Sequence, residues 1–132
     1  MLLSQMPNLY LTNHPIKGRC VHCVDDIRKG SVIEVCPLVI LSVEDTKLIH
    51  QTHLYDYYFG WDEDKDTSAL ALGYGSIYNH SPNPNAEPER LMHSKELRIT
   101  AIQDIPSGKE ITINYQGDVK NSPCEIWFEV ID

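Results

Sequence analysis

Short apolar runs separated by turn-forming residues are the feature that most limits the fold of this chain. The apolar residues alternate with polar ones or occur in brief β-branched runs, and both patterns are typical of strands. Turn-forming residues lie at 13–15, 28–30 and 106–108. We predict strands at residues 8–12, 20–24, 31–35, 38–41, 86–91, 96–102 and 110–114. The pattern therefore predicts a mostly β fold with few short helices.

One stretch departs from the strand pattern and predicts a helix. Ser42 is suited to cap it, with Asp45 at the third helical position. Apolar residues follow at partly helical spacing, namely Leu48, Ile49, Leu54, Tyr57 and Tyr58. Before this stretch Pro37, which has no backbone donor, separates two of the predicted strands. We therefore expect a helix that begins after Ser42 and has an incomplete apolar face.

Length and charge limit the number of domains and the class of partner. The 132 residues, 42% of them hydrophobic, can bury one compact core and leave no length for a second domain. We therefore predict one domain over residues 1–132. A net charge of -8 should repel nucleic-acid phosphates and attract basic peptides. We expect a basic protein partner and no direct contact with nucleic acid.

No segment has the pattern of a membrane span or of a secretion signal. No run approaches the roughly 18 apolar residues that identify a membrane helix. The opening Met-Leu-Leu-Ser-Gln is too short for the apolar part of a signal peptide and lacks a basic flank. We therefore predict no membrane association and a cytoplasmic location, or the nucleus of a host cell if the protein is delivered into one.

The cysteines raise the question of a metal site. They are Cys20, Cys23, Cys36 and Cys124. Cys20 and Cys23 have ligand-like spacing with His22 between them, but a structural zinc site normally needs a second close pair. We therefore predict reduced cysteines packed as small apolar residues, and no metal. A small β domain with a metal site at Cys20, His22 and Cys23 is the less favoured alternative.

Two polar motifs stand out from the strand pattern. Residues 78–85, the first polar motif, read Tyr-Asn-His-Ser-Pro-Asn-Pro-Asn, and residues 108–115, the second polar motif, read Gly-Lys-Glu-Ile-Thr-Ile-Asn-Tyr. In this order and at this separation they resemble the paired signature of SET-domain protein lysine methyltransferases, in particular the minimal viral and bacterial type. The resemblance implies a fold of several small curved sheets with a knot-like crossing. It also implies S-adenosylmethionine as methyl donor, with Asn85 fixing the crossing of the two motifs.

The resemblance implies a methyl-donor site with contributions from three parts of the chain. The first is a Gly-x-Gly turn, here Gly18-Arg19-Cys20, in which cysteine stands where the second glycine usually does. We call it the donor turn. Asn79 would bind the amino-acid end of the donor, and the backbone of His80 would bind the adenine edge. Residues 117–132 would form a short tail in place of the zinc-bound module of larger relatives, with Trp127 folded over the donor.

Tyr115 is the predicted catalytic residue, and it would also line the donor pocket. Methyl transfer to a lysine amine is an in-line displacement, so the amine must be neutral and aligned behind the methyl carbon. A free lysine has a pKa of about 10.4, which burial and the positive charge of the donor both lower. The resemblance implies that the Tyr115 phenol orients the amine. Tyr57, as a second catalytic residue, and Tyr74 and Tyr78 would form the lysine channel.

Two functions from different classes follow from these motifs. The favoured one is an S-adenosylmethionine-dependent methyltransferase that acts on lysine side chains of a basic protein or peptide, as a monomer or homodimer. The alternative is a catalytically degenerate SET domain that serves as a protein-binding module. Its support is Cys20 in the donor turn and Gln116, where a glycine commonly follows the tyrosine. Donor binding separates the two hypotheses, because only the enzyme needs it.

Overall fold

The computed structural model describes residues 7–62 and 65–115 and shows a mostly β molecule. The strands are β1 (Leu9–His14), β2 (Gly18–Cys23), β3 (Val32–Leu41), β4 (Tyr58–Gly60), β5 (Ser68–Ala71), β6 (Asn79–His80), β7 (Ala86–Leu91), β8 (Glu96–Ala101) and β9 (Thr112–Ile113). One α-helix, α1 (Val43–Ile49), and one 3-10 helix (His53–Asp56) lie between β3 and β4. The predicted fold class is confirmed. No helix among these residues is long and apolar enough to cross a membrane.

The described strands form three sheets. β1 and β2 make an antiparallel hairpin, β6 and β9 pair in parallel, and the remaining five strands form a sheet in the order β4-β5-β3-β8-β7. The predicted hairpin of residues 86–91 and 96–102 is present as β7 and β8. β3 is the centre of the largest sheet because it pairs with β8 along its first part and with β5 along its second.

β3 runs through Pro37 without a break, so the predicted separation of residues 31–35 and 38–41 into two strands is wrong. Pro37 lies where β3 changes partner from β8 to β5, since the pairing with β5 begins at Leu38. The carbonyl of Pro37 accepts a hydrogen bond from Leu72 N, just beyond the end of β5 (2.9 Å). The proline, which has no N–H, therefore stands at the end of the pairing with β5, where it costs the sheet at most one hydrogen bond.

α1 begins where the sequence predicted, but it is short. The Ser42 side chain accepts a hydrogen bond from Asp45 N (3.1 Å), which confirms the predicted N-cap. The helix ends at Ile49, and the predicted apolar face does not form, because no residue of the helix is buried. The residues further along the pattern belong to other elements: a 3-10 helix capped by Thr52 follows, and Tyr58 begins β4.

The core contains apolar side chains from all three sheets. The inward residues of β8 alternate with half-buried ones, as expected for a strand with one face against the core. The largest fully buried side chains include Tyr78, Ile33, Ile99, Ile105, Ile111 and Val21. Cys20, Cys23 and Cys36 are buried free thiols, as the sequence predicted. Cys124 lies outside the described residues.

A side-chain contact shows how strongly the five-stranded sheet is curled. Arg90, on the edge strand β7, donates from Nη1 to Gly60 O (3.1 Å) and Trp61 O (2.9 Å) at the end of the opposite edge strand, β4. In a flat sheet these edges would lie about 19 Å apart, four strand spacings of about 4.8 Å. An arginine side chain cannot span that distance, so the sheet curls until its two edges approach each other.

Candidate active site

The two polar motifs meet where β6 and β9 pair in parallel. Asn79 in the first motif stands opposite Thr112 in the second. The side chain of Asn85 joins the two segments again: its Nδ2 donates to Glu110 O (2.8 Å), and its Oδ1 accepts from Thr112 N (2.9 Å). Asn85 is 3% exposed. It therefore holds the crossing together from inside the protein, in the position that the sequence indicated.

The donor turn lies beside this crossing because β2 packs along the second polar motif. Ile111 N donates a hydrogen bond to Val21 O (2.8 Å). Gly18 has a φ of 81°, in the left-handed region that favours glycine. Among the described residues, those other than glycine with positive φ are Asp66 and Lys95, so Cys20 has an ordinary backbone conformation. The cysteine therefore replaces the second glycine of the turn without backbone strain.

Glu110 is the centre of a polar network that joins the donor turn to both motifs. Its Oε1 accepts from Lys17 Nζ at 2.9 Å, and its Oε2 accepts from Asn79 Nδ2 at 2.7 Å. Asn79 Nδ2 also lies 3.0 Å from Arg19 O and 3.4 Å from Cys20 Sγ. These contacts orient the side-chain amide of Asn79 with its nitrogen towards the protein. No hydrogen bond from a described residue reaches its oxygen.

The network shifts the pKa of two of its members. Burial raises the pKa of Glu110, but hydrogen bonds from Asn79 and Lys17 and the charge of Lys17 outweigh that effect, so the pKa lies below its ordinary value. Burial, followed by the charge of Glu110, raises the pKa of the Cys20 thiol. At neutral pH Glu110 is therefore a carboxylate and the Cys20 thiol is neutral.

Tyr115 ends the second polar motif, and its hydroxyl is held by the first. The hydroxyl donates to Tyr78 O (2.7 Å), and Tyr115 N donates to His80 Nδ1 (2.9 Å). The rings of His80 and Tyr115 have their centroids 5.1 Å apart. Burial, and after it the charge of Glu110, raises the pKa of Tyr115 to about 12. The phenol is therefore protonated at neutral pH.

The three predicted channel tyrosines lie in different environments. Tyr57 is half-buried after the 3-10 helix, and its hydroxyl accepts a hydrogen bond from Arg19 Nη2 of the donor turn (3.4 Å). Tyr74 is half-buried against the core. Tyr78 is 1% exposed, and its hydroxyl donates to Glu34 Oε1 (2.6 Å). The structure thus brings Tyr57 to the donor turn, whereas it encloses the ring of Tyr78 in the core.

Comparison with known proteins agrees with this geometry. The family model for the SET domain matches residues 18–116, which include the donor turn and both polar motifs. This chain belongs to the SET-domain family. The predicted cofactor is confirmed at the level of the family, because SET methyltransferases use S-adenosylmethionine as methyl donor.

The relatives of this SET domain in sequence are named as histone-lysine methyltransferases. It is 32% identical over 114 residues to the Schizosaccharomyces pombe histone-lysine N-methyltransferase specific for H3 lysine 37, over 86% of this chain and 71% of that protein. It is 29% identical over 126 residues to the Homo sapiens histone-lysine N-methyltransferase 2D, over 90% of this chain and 2% of that protein. The chain therefore spans most of the first relative and a small part of the second.

Solved structures share the fold of this SET domain. A candidate histone methyltransferase of Plasmodium falciparum has a TM-score of 0.67 at 32% identity, over 86% of this chain and 96% of that chain. A chain of the Chaetomium thermophilum Polycomb Repressive Complex 2, in an autoinhibited conformation bound to S-adenosylmethionine, has a TM-score of 0.72 at 20% identity, over 86% of this chain and 16% of that chain. At this identity the second likeness concerns the fold alone.

Three charged residues of the SET-domain site had no predicted role: Lys17, Glu34 and Glu110. Glu34 Oε2 accepts from Tyr74 N (3.1 Å) and its other oxygen accepts from Tyr78, so it supports two of the predicted channel tyrosines. A role for Glu34 could have been predicted from the sequence. It is the only charged residue in the apolar run 31–41, and a charge that is covered on folding needs a partner. Lys17 had no such signal, since its partner is 93 positions away.

The alternative of a metal site at Cys20, His22 and Cys23 finds no support in the described residues. They contain no group of three or more metal-ligating side chains arranged around one point. His22 uses both ring nitrogens: Nδ1 lies 3.0 Å from Gly108 O, and Nε2 lies 2.8 Å from Thr12 Oγ1. Neither nitrogen is left for a metal ion.

Trp127 and Gln116, like Cys124, lie outside the described residues. Trp127 belongs to the predicted tail at 117–132, and Gln116 follows the catalytic tyrosine candidate. The role predicted for Trp127 and the significance of Gln116 stay predictions.

Proposed function

We propose that this SET domain transfers a methyl group from S-adenosylmethionine to lysine side chains of a basic protein. The observation that carries the proposal is the position of Tyr115, whose phenol is held by Tyr78 O at the crossing of the two polar motifs. Asn79, which follows Tyr78 in the sequence, has its side-chain amide oriented by Glu110. Histones are the proposed substrate class, because the relatives are named as histone-lysine methyltransferases and a net charge of -8 favours a basic partner.

The residues of the donor site fit S-adenosylmethionine. The side-chain oxygen of Asn79, to which no described residue donates, is suited to accept a hydrogen bond from the donor's ammonium group. The face of the donor turn at Gly18 is open, since a Cβ there would meet no atom within 4 Å. Cys20 does not fill this face, because its side chain is buried with Sγ 3.4 Å from Asn79 Nδ2. These features argue against the degenerate alternative.

The proposed mechanism assigns Tyr115 to orientation and not to proton removal. The bound donor supplies an electrophilic methyl group on a positively charged sulfur. With a pKa of about 12, the Tyr115 phenol keeps its proton at neutral pH and cannot act as a base. The oxygen of a phenol can accept a hydrogen bond as well as donate one, so the Tyr115 hydroxyl, which donates to the Tyr78 carbonyl, would accept from the lysine amine and align it.

The lysine must lose its proton before transfer, and the channel residues would favour this. Tyr57 and Tyr74 are both half-buried and would surround the lysine stem with aromatic walls. Burial between them lowers the pKa of the amine, since the charged form is poorly solvated there. The amine proton would pass to solvent, and Tyr115 would hold the neutral amine in line with the methyl group of a donor bound at Asn79 and the donor turn.

Calorimetric titration with S-adenosylmethionine tests the donor site first. We expect one donor molecule per chain for the wild type. Asn79→Ala should weaken binding by roughly tenfold or more, the effect of losing one hydrogen bond to a charged group. The matched control is Asn83→Ala in the same motif, where the asparagine is exposed and the affinity should not change. A wild type that binds no donor would instead favour the degenerate binding module.

Transfer itself is tested with radiolabelled donor. We expect labelled methyl groups on lysines of purified core histones or of a library of lysine-containing basic peptides. A protein that binds the donor but labels neither set of substrates would contradict lysine methyl transfer as the function of this site.

A further inference from the structure

Lys17, which no motif includes, makes a half-buried ion pair at the donor site. Its Nζ lies 2.9 Å from Glu110 Oε1, and the two side chains are only 12% and 17% exposed. The ammonium group of lysine is strongly hydrated and is seldom covered to this extent without a partner. The contact therefore differs from an ordinary surface ion pair, which contributes little because water and salt screen it.

Glu110 transmits the effect of Lys17 to Asn79. While one carboxylate oxygen accepts from Lys17, the other accepts from Asn79 Nδ2 at 2.7 Å. Both oxygens can accept in this way only when the carboxyl group is ionised, because the protonated form carries an O–H donor on one of them. Protonation would set that donor against the ammonium group or against the Asn79 amide. Among the described residues, ionised Glu110 therefore supplies the shortest and the only charged hydrogen-bond partner of the amide, beside its contacts with Arg19 O and Cys20 Sγ.

The groups that face the Glu110 carboxylate come from several elements. They are the Lys17 ammonium group before β2, the Cys20 thiol of β2, the Asn79 amide of β6 and the Tyr115 phenol at the end of the second polar motif. Of these groups Lys17 alone is positively charged. Burial acts to raise the pKa of Glu110, and Lys17 and Asn79 together hold it below the ordinary value. Without the charge of Lys17, less would oppose the effect of burial, and the pKa of Glu110 would rise.

We propose that Lys17 is a positioning residue of the methyl-donor site: it keeps Glu110 ionised, and Glu110 holds Asn79 with its side-chain oxygen directed to the donor. This inference rests on the proposed function, because it assumes that the donor binds at Asn79. Two consequences follow. The affinity for the donor depends on pH through Glu110, and the pH at which affinity is lost depends on Lys17.

A carbon-13 NMR titration of the Glu110 carboxyl group tests the first link without any donor present. In the wild type we expect a pKa below the value of about 4.3 typical of glutamate. In Lys17→Met it should rise above the wild-type value, whereas Lys17→Arg, which keeps the charge, should stay close to wild type. The matched control is Lys29→Met, because Lys29 is an exposed lysine in a turn and its removal should leave Glu110 unchanged.

Calorimetric titration with S-adenosylmethionine at several pH values tests the second link. A lowered pKa means that Glu110 of the wild type stays ionised as the pH falls, so the affinity is lost only when the pH passes through that low value. In Lys17→Met the loss should begin at a higher pH. We expect binding roughly tenfold weaker than wild type near about pH 5, with a smaller difference near about pH 8. Lys17→Arg should restore the wild-type profile.

The outcomes separate this inference from the proposed function. Equal donor affinities of Lys17→Met and wild type across the pH range would overturn the role of Lys17 and leave the proposed function standing. A wild type that binds no donor would overturn the proposed function and the donor-site role of Lys17 together. If Lys17→Met does not fold, the wild-type titration still decides: a Glu110 pKa at or above its ordinary value would overturn the inference.

Discussion

The two sides of the candidate active site are built in different ways. The donor side consists of Lys17, Cys20, Asn79, Asn85, Glu110 and Tyr115. Each of these residues is buried or half-buried and bonds to a segment distant in the sequence. The channel side, residues 43–60, contains α1, the 3-10 helix and β4, and none of its residues is buried. Most of its side-chain contacts are local, such as that between the rings of His53 and Tyr57.

This difference predicts that the two sides of the site respond differently to substitution. A donor side held by long-range, mutually dependent hydrogen bonds has little tolerance for change, because each lost partner leaves another buried polar group unsatisfied. The channel side joins the donor turn through the contact between Arg19 and Tyr57, and its other residues are exposed or half-buried, with Phe59 packed against the core. We therefore expect substitutions on the donor side to reduce stability or donor binding, and substitutions at the exposed positions of the channel side to leave both nearly unchanged.

Asn85→Ala should have the largest effect on the stability of the donor side. The change removes both hydrogen bonds across the crossing and leaves Glu110 O and Thr112 N without their partner. Unsatisfied buried groups of this kind cost about 1–3 kcal/mol each, so we expect the free energy of unfolding to fall by roughly 3 kcal/mol. Urea denaturation measures this. Asn83→Ala, an exposed asparagine two residues earlier, is the control and should change little.

Tyr115→Phe tests whether a residue of the donor side takes part in catalysis as well as in holding the fold together. The variant keeps the ring and loses only the hydroxyl that Tyr78 O holds. Methyl transfer should fall roughly 100-fold, as for the loss of one orienting hydrogen-bonding group, while calorimetry should show donor affinity close to wild type. Tyr10→Phe, on the exposed β1 strand, is the matched control. Full activity of Tyr115→Phe would show that the phenol does not align the acceptor.

Leu48→Ser on the channel side should have the smallest effect. Leu48 is 67% exposed and α1 buries none of its residues. Surface substitutions of this kind usually change stability by less than about 0.5 kcal/mol, so urea denaturation and donor titration should both match the wild type. A loss of stability as large as that of Asn85→Ala would show instead that the channel side is as tightly built as the donor side.

Most of the longer strands could be predicted from the sequence, and so could the short β9, which lies within the strand predicted at 110–114, whereas β4, β5 and β6 were not predicted. β1, β2, β7 and β8 have alternating patterns or lie between clear turns, so local rules identify them. β5 reads Ser-Ala-Leu-Ala and β6 has two residues, and neither has a strand pattern of its own. These segments are strands because β3 and β9 offer them partners. At Pro37 the local rule predicts a break that does not occur. β3 continues through this residue because it pairs with β8 on one side and with β5 on the other.

Motif spacing and local patterns in the sequence were enough to predict the family, the crossing residue Asn85, the cap at Ser42 and the burial of Cys20, Cys23 and Cys36. Each of these depends on motif spacing or on interactions over a few residues, which can be read along the chain. The fold was needed to place Tyr78 in the core beside Glu34, and Lys17 beside Glu110. The physical reason is that a buried charge takes as partner whichever group the fold brings within hydrogen-bonding distance and shields from water.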